Sequence, residues 1–397
     1  MVRFFISGYY GLNNIGDEAI LSGMLSSLKK YFNNSQYSVL TNDAIITQSI
    51  HDVDPVEHTL KQGSLNFAKN VIIKNEIGNI IKEISRCDIF ILGGGSLLQD
   101  LKIHYLPILL SQIRLAKNMK KKTIIYGIGA GPIDTKLGQL LCRSIINEVD
   151  LITVRDEMSK QVLEKCGIKN VIQTADPAFG LEIPQEPNVN LPFDDGTKNW
   201  GGYFTTTSYN WLHDSDLYKN LSTGTNDLSD RRKKLAQIYD EILKEKQKKL
   251  LFLPTVKIDQ DGYQEIQKNM ACKTHTKIVE FSNDIPQVLS LLSRSEMLIG
   301  MRLHSLILAT LLGKPIVPIS YCGKVKSYLE MIGMNGLYLD IEELDHRDFL
   351  DHFLNNFNEV YDNKSHYSKL QHDASIRLRV KAIKNAELVY NLWDNVS

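Results

Sequence analysis

The sequence predicts an α/β protein of two doubly wound domains, each a mostly parallel sheet flanked by helices, facing each other across a cleft. Three observations carry this. The chain has 397 residues, more than one core supports and enough for two domains of roughly 150–200 residues each. Short apolar runs alternate with helix-period stretches, the pattern of successive βα units. Several of those runs end in glycines, where a backbone leaving a sheet turns sharply or approaches a ligand.

The elements follow in order. The run 4–11 reads as a strand, with a helix from Gly16 to about Tyr31. The runs 87–95 and 123–131 read as strands with helices near 105–118 and 134–147, and 151–156 leads to a helix ending at Lys165 and a last strand near Asn170–Thr174. Proline and turn formers then fill the stretch from Leu181 to Gly202, which reads as a linker. The pattern resumes with a strand at 202–208, a helix capped by Ser229, and strands at 250–254 and 277–281. A helix follows at 284–295, then a strand at 297–301, a helix from Leu303 to Leu312, a strand at 316–320 and a helix from about Lys324. The domains are therefore expected at 1–182 and 203–372, with the linker at 183–202 and a terminal helix at 373–397 reaching back across them. Ile376, Val380, Ile383, Ala386, Tyr390 and Trp393 recur at helical spacing and are expected to form its buried face.

Lys and Arg number 46 and so do Asp and Glu, so the chain lacks the basic surplus that counterion-driven nucleic-acid binding needs. Nucleic acid is excluded as an expected partner. The five cysteines, Cys87, Cys142, Cys166, Cys272 and Cys322, show no CxxC or zinc-type spacing, which suits reduced thiols in a cytoplasmic protein and no metal. No apolar window approaches the ~20 residues of a membrane span, and Met1-Val2-Arg3 runs straight into a strand without a signal-peptide pattern. Any contact with a membrane is expected to be peripheral, from the cytoplasmic side.

Three constellations bear chemistry. Gly11, Asn13 and Asn14 lie where the first strand breaks into a helix that opens with Asp17 and Glu18; free N–H groups there make an anion site, although a well-made turn needs the same residues. Gly93, Gly94, Gly95 and Ser96, followed by Asp100, end a buried strand and suit close ligand approach more than an ordinary loop. Arg302, His304 and Ser305 stand where a third strand turns into a helix. Arg grips a carboxylate or phosphate bidentately, and His moves protons near neutral pH. Lys324 offers a point charge at the next strand end, or a plain surface residue. The basic run Lys117, Lys120, Lys121 and Lys122, on the helix that also carries His104, reads as a solvated helix end more than as a membrane-surface patch. Asp156-Glu157 reads as a helix cap and Asp194-Asp195 as a turn.

The blocks SGYYGLNNIGDEA, ILGGGSLLQD, GIGAGPI, VRDEMS, TADPAF and GMRLHSLILA, in this order from Ser7 to Lys324, resemble the polysaccharide pyruvyltransferase family, CsaB type. The resemblance implies a two-domain fold like that of B-type glycosyltransferases and transfer of pyruvate from phosphoenolpyruvate, used as co-substrate without a further cofactor, onto a lipid- or nucleotide-linked saccharide. In the CsaB branch the product is a 4,6-linked ketal on N-acetylmannosamine of a cell-wall precursor that retains surface-layer proteins. On this resemblance His304 and Arg302 are the expected catalytic residues, Arg302, Lys324 and Ser305 bind the donor, and Gly11, Asn13, Asn14, Gly94, Gly95, Ser96 and Asp100 shape the acceptor side. Family members often carry an Arg after the first strand of the second domain, where this chain reads Thr205-Thr206-Thr207-Ser208-Tyr209, and basic residues before the glycine-rich strand, where it offers Lys61, Lys69 and Lys74. The alternatives are a nucleotide-sugar-dependent glycosyltransferase of the same fold and a noncatalytic relative.

Overall fold

The computed structural model describes residues 1–58, 76–101, 105–183, 193, 202–207 and 228–394. The chain divides into two compact units, Met1–Glu182 with Leu378–Ser397, and Ile183–Arg377.

The first unit runs β1 (Val2–Tyr10), α1 (Ile15–Lys29), β2 (Ser35–Thr41), α2 (Ala44–Ile50), β3 (Asp54–Glu57), α3 (Glu76–Arg86) and β4 (Ile89–Gly93). It continues with α4 (Tyr105–Asn118), β5 (Lys122–Ile128), α5 (Lys136–Ile146), β6 (Leu151–Val154), α6 (Glu157–Lys165) and β7 (Val171–Gln173). The described strands form one parallel sheet of order β3-β2-β1-β4-β5-β6-β7. Its central strands are apolar on both faces because helices cover both. Phe5, Phe90 and Leu92 join Leu109, Leu110 and Ile113 of α4 in one core layer. Their neighbours Phe4, Ile6, Ile89 and Ile91 join Leu21, Met24 and Leu28 of α1 in the other. Each such side chain contributes roughly 1.5–3 kcal/mol by leaving water. Asp156 caps α6, its carboxylate accepting from the Ser159 N–H, as its position ahead of the helix suggests.

The second unit runs β8 (Tyr203–Thr207), α7 (Leu228–Lys246), β9 (Lys249–Phe252), α8 (Asp259–Asn269), β10 (Thr276–Ile278), α9 (Ile285–Arg294) and β11 (Leu298–Gly300). Then come α10 (Leu303–Leu311), β12 (Ile316–Ser320), α11 (Gly323–Met331), β13 (Leu339–Asp340) and α12 (Phe349–Asp362). The described strands form a second parallel sheet of order β10-β9-β8-β11-β12-β13. Ser229, expected as a cap, instead lies inside α7, which already includes Leu228. Helix α8, β2 and β3 are polar or short and carry no clear signature, whereas α12, absent from the expected elements, does repeat Phe349, Phe353, Phe357 and Val360 at helical spacing.

The terminal helix α13 spans Lys364–Asp394, beginning well before residue 373. Its buried face agrees with the expected one in part: Ala386 is buried and Tyr390 and Trp393 pack against the core of the first unit, but Ile376 and Val380 are 54% and 67% exposed, and Ala374, Leu378, Ala382 and Val389 are buried in their stead. Two buried polar side chains, Gln371 and Asn385, fix the helix. Thr310 donates to Gln371 Oε1 at 2.7 Å, and Thr174 donates to Asn385 Oδ1 at 2.8 Å. Apart from Ile183, Phe193 and Gly202, the expected linker lies outside the described residues, as do Lys61, Lys69, Lys74, His104, Asp194-Asp195, Ser208 and Tyr209.

Candidate functional site

In each sheet the connections reverse direction at the middle. Strand β1 feeds toward β2 while its other neighbour β4 feeds toward β5, and β8 and β11 stand in the same relation. Loops leaving such a pair diverge and open a crevice at the carboxyl edge, where ligands of doubly wound sheets bind. The glycine-rich turns of the first unit follow β1 and β4, and Arg302, His304 and Ser305 follow β11. Lys324 follows β12, which pairs with β11, so all four lie on one edge of the second sheet.

After β1, Gly11 takes φ +72 and Asn13 φ 56, left-handed conformations natural to glycine and tolerated by asparagine. The Gly11 N–H donates to Glu18 Oε1 at 2.8 Å, and His51 Nε2 meets Glu18 Oε2 at 2.8 Å. Ser22 lies 3.2 Å from the other ring nitrogen of His51. A wholly buried carboxylate thus ties the loop to α1. Asn14 is committed to the start of α1: its carbonyl accepts from the Gly16 N–H at 3.0 Å and its amide donates to Asp17 at 2.7 Å.

After β4, Gly94 and Gly95 take φ +78 and +70, for different reasons. A methyl group on Gly94 would stand 2.1 Å from the Ile20 side chain, whereas one on Gly95 would meet nothing nearer than Asp17 Oδ1 at 3.4 Å. Gly94 is required by packing; beside Gly95 there is room for a ligand. Ser96 accepts a hydrogen bond from Arg155 Nη2 at 3.1 Å. Arg155 is 4% exposed, and its other donors reach Asp156 and Asp176, each at 3.1 Å. Burial works against its charge, but the carboxylates of Asp176 and Asp156 outweigh it and raise its pKa. This buried triad fixes the glycine turn from behind. Arg155 and Asp176 were not singled out from sequence, although the VRDEMS and TADPAF blocks contain them. Asp100, expected on the acceptor side, anchors a different turn, accepting from the N–H groups of Asp134 at 3.1 Å and Thr135 at 2.7 Å.

In the second unit Arg302 occupies the N-cap position of α10. Its guanidinium grips Asp259 with Nε at 3.1 Å and Nη2 at 2.5 Å. Asp259 opens α8 and is fully buried. The arginine is therefore held rigid, with 17% of its side chain exposed. His304 is half-buried in the first turn of α10, whose dipole favours anions nearby. Ser305, expected to touch the donor, is fully buried. Its hydroxyl donates to the Arg302 carbonyl at 2.6 Å and pairs with Thr207 Oγ1 at 2.5 Å, so it braces the turn from below. Lys324 lies on the first turn of α11 with its ammonium 5.7 Å from the Tyr321 ring centre. Asp259 lies 43 residues from Arg302, and no local signal foretells the pair.

Among the described residues no group of three or more His, Cys, Asp or Glu is placed to hold a metal ion. No described helix is long and apolar enough to cross a membrane.

The geometry can be set beside known proteins. The UDP-GlcNAc 2-epimerase of Neisseria meningitidis, solved with UDP-GlcNAc, superposes with a TM-score of 0.61 at 12% identity, covering 100% of both chains. A ugt transferase from Siraitia grosvenorii, solved with UDP, gives 0.56 at 10% identity, covering 98% of this chain and 99% of that one. At such identities the likeness concerns the fold, which is the two-domain Rossmann-like α/β fold of glycosyltransferase B and epimerase proteins. The amylovoran biosynthesis protein AmsJ of Erwinia amylovora is 21% identical over 391 residues, covering 86% of this chain and 89% of that protein. The family model described as polysaccharide pyruvyl transferase matches residues 14–323, a span holding both switch points apart from the first strand. The chain belongs to the polysaccharide pyruvyl transferase family.

Proposed function

We propose that this protein transfers the enolpyruvyl unit of phosphoenolpyruvate onto two hydroxyls of a sugar in a cell-surface polysaccharide precursor, forming a cyclic pyruvate ketal and releasing phosphate. The observation that carries the reading is the pairing of a rigid arginine with a histidine where β11 turns into α10. The donor brings a carboxylate, a phosphate and a methylene carbon that must gain a proton. Arg302, oriented by Asp259, suits the carboxylate bidentately, and the first turns of α10 and α11, with Lys324, suit the phosphate.

In the reaction, the methylene carbon takes a proton from His304, its π electrons forming the new C–H bond and leaving an oxocarbenium-like centre beside the carboxylate. One sugar hydroxyl attacks that carbon and gives up its proton. The carbon–oxygen bond to phosphate then breaks, its electron pair leaving with the phosphate and a second oxocarbenium-like centre remaining, and the second hydroxyl attacks that centre to close the ring, its proton passing to the departing phosphate. His304 supplies the imidazole of this set, a side chain that can both give and take a proton. Gly11, Asn13, Gly95 and Ser96 are the residues we propose for the acceptor.

The CsaB-type motifs and the relation to an amylovoran biosynthesis protein support a polysaccharide precursor as acceptor. A 4,6-ketal on N-acetylmannosamine is the first product to seek, on a lipid- or nucleotide-linked glycan used from the cytoplasmic side. The test is phosphate release from phosphoenolpyruvate in the presence of glycan acceptors, with UDP-sugars as the competing donors. Acceptor-dependent release that falls ~10²–10⁴-fold in His304→Ala supports the reading. Turnover of a UDP-sugar without phosphoenolpyruvate consumption would sink it.

A further inference from the structure

At the start of α1 the first unit turns a carboxylate toward the glycine turn that follows β4. We infer that this carboxylate, Asp17, is the general base that takes the proton of the attacking sugar hydroxyl, an assignment that rests on the function proposed above and gives that proton a destination.

Asp17 is half-buried in the first turn of α1, where the helix dipole favours a negative charge. One of its oxygens serves the structure: Oδ2 accepts from the Asn14 amide at 2.7 Å, and Asn14 is the residue that caps the helix. The other oxygen faces the turn after β4. A methyl group built on Gly95 would stand 3.4 Å from Asp17 Oδ1, and among the described residues nothing else outside the turn lies within 4 Å of it. Oδ1 therefore borders a space that a sugar oxygen can enter, next to backbone that carries no side chain of its own. That gives an acceptor hydroxyl room to approach to about 2.6–3.2 Å, the reach that proton abstraction needs.

Neighbouring carboxylates are committed elsewhere. Glu18 is fully buried between the Gly11 N–H and His51, and Asp156 and Asp176 hold Arg155. Asp100 accepts from the Asp134 and Thr135 N–H groups, and Asp43 caps α2 by accepting from the Ile46 N–H at 2.9 Å. The phenols of Tyr9 and Tyr10 are pushed up first by burial and further by nearby groups that include Asp17, and the Tyr10 hydroxyl donates to the Gly93 carbonyl at 2.6 Å. Both stay protonated near neutral pH and cannot act as the base. In the step itself, a lone pair of the sugar oxygen forms the bond to the oxocarbenium-like carbon while the O–H bond breaks. The electrons of that bond stay on the oxygen and the proton passes to Asp17 Oδ1, which returns it to water before the next turnover.

The experiment compares the full chain as wild type, Asp17→Asn and Asp17→Ala, with phosphoenolpyruvate as donor and synthetic glycosides of N-acetylmannosamine, glucose and galactose as acceptors. Phosphate release, thermal melts and calorimetric binding of phosphoenolpyruvate are followed together. Asp17→Asn keeps an oxygen for the Asn14 amide, so the start of α1 is retained. The expected result is a folded variant that binds phosphoenolpyruvate as wild type does, with kcat lower by ~10²–10⁴-fold. Formate is a carboxylate small enough to take the place vacated in Asp17→Ala, and turnover of that variant is expected to rise with formate concentration. This second arm decides the matter should Asp17→Asn fold poorly, because a purely structural loss does not respond to formate. A folded Asp17→Asn as active as wild type, or a folded Asp17→Ala that formate leaves inactive, overturns the assignment while the proposed function stands. A wild type that consumes no phosphoenolpyruvate with any acceptor refutes the reading beneath it, and the base with it.

Discussion

The Arg302 guanidinium and the Asp259 carboxylate are locked by two hydrogen bonds, of 3.1 and 2.5 Å, with the carboxylate wholly buried and the guanidinium reaching outward. The pair separates the structural from the chemical role of the arginine. Removing Arg302 alone leaves an uncompensated buried charge, and Arg302→Ala is expected to lose roughly 3–5 kcal/mol of stability. Removing both partners takes that charge away. Chemical denaturation of Arg302→Ala, Asp259→Ala and the double variant should therefore show the double variant more stable than Arg302→Ala, yet equally without turnover. A double variant that recovers activity along with stability would make Arg302 a purely structural residue.

The two left-handed glycines after β4 give a second contrast. Gly94→Ala drives a methyl group into Ile20 and is expected to cost several kcal/mol, on the scale of overpacking plus backbone strain. Gly95→Ala meets only Asp17 Oδ1, at an ordinary contact distance of 3.4 Å, and should cost only the ~1 kcal/mol of a left-handed alanine. Thermal melts paired with turnover assays check this: Gly95→Ala should stay folded and lose most activity, because the proposed function puts the acceptor against this turn. Full activity in a folded Gly95→Ala would remove the β4 turn from the site.

Glu18 holds the Gly11 N–H and His51 at the same time. Glu18→Ala leaves both donors buried without acceptors, and a loss of roughly 2–5 kcal/mol is expected. Glu18→Gln keeps an oxygen for Gly11 and should fall between the two. Urea denaturation of the three proteins gives the order directly, and the three lying together would mean that the loop is held by packing instead.

For Asp100, burial opposes the charge, but hydrogen bonds from Thr135 and Asp134 outweigh it and hold the carboxyl below its ordinary value. A carboxyl whose folded pKa is depressed stabilises the protein above its unfolded pKa, near 4, and that contribution is lost as pH falls through the folded value. Asp100→Asn should thus be less stable than wild type at pH 7, by about 1 kcal/mol given its partial exposure. The gap should close as pH drops below about 4, as read from denaturation curves across the acid range.

How much of this was legible in sequence differs by residue. Strand β4 and helix α4 were readable because a buried parallel strand is a continuous apolar run and its exit needs glycine; Tyr105–Asn118 was expected within the residues observed. The turn carrying Arg302 and His304 was readable for the same reason. Asp259 and the Arg155–Asp176 pair were not, since partners 43 and 21 residues apart leave no periodic trace. The stripe of α13 is legible at Ala386, Tyr390 and Trp393 but not at Ile376 and Val380, which outweigh alanine on any hydrophobicity scale yet stay exposed while Ala374, Leu378 and Ala382 are buried. The resemblance implies Ser305 for the donor, yet one residue along a helix turns a side chain by about 100°, here from the half-buried His304 to the fully buried Ser305.

Proton delivery to the donor's methylene carbon is the step on which the proposed function depends. The direct measurement is to run the reaction with phosphoenolpyruvate and a competent glycan acceptor in D₂O and to examine the ketal by mass spectrometry and ¹H NMR. If the carbon is protonated as proposed, the product gains the mass of one pyruvate less one water, phosphate appears in equal amount, and the ketal methyl carries one deuterium. A product without a ketal, or a ketal methyl free of solvent deuterium, would contradict it.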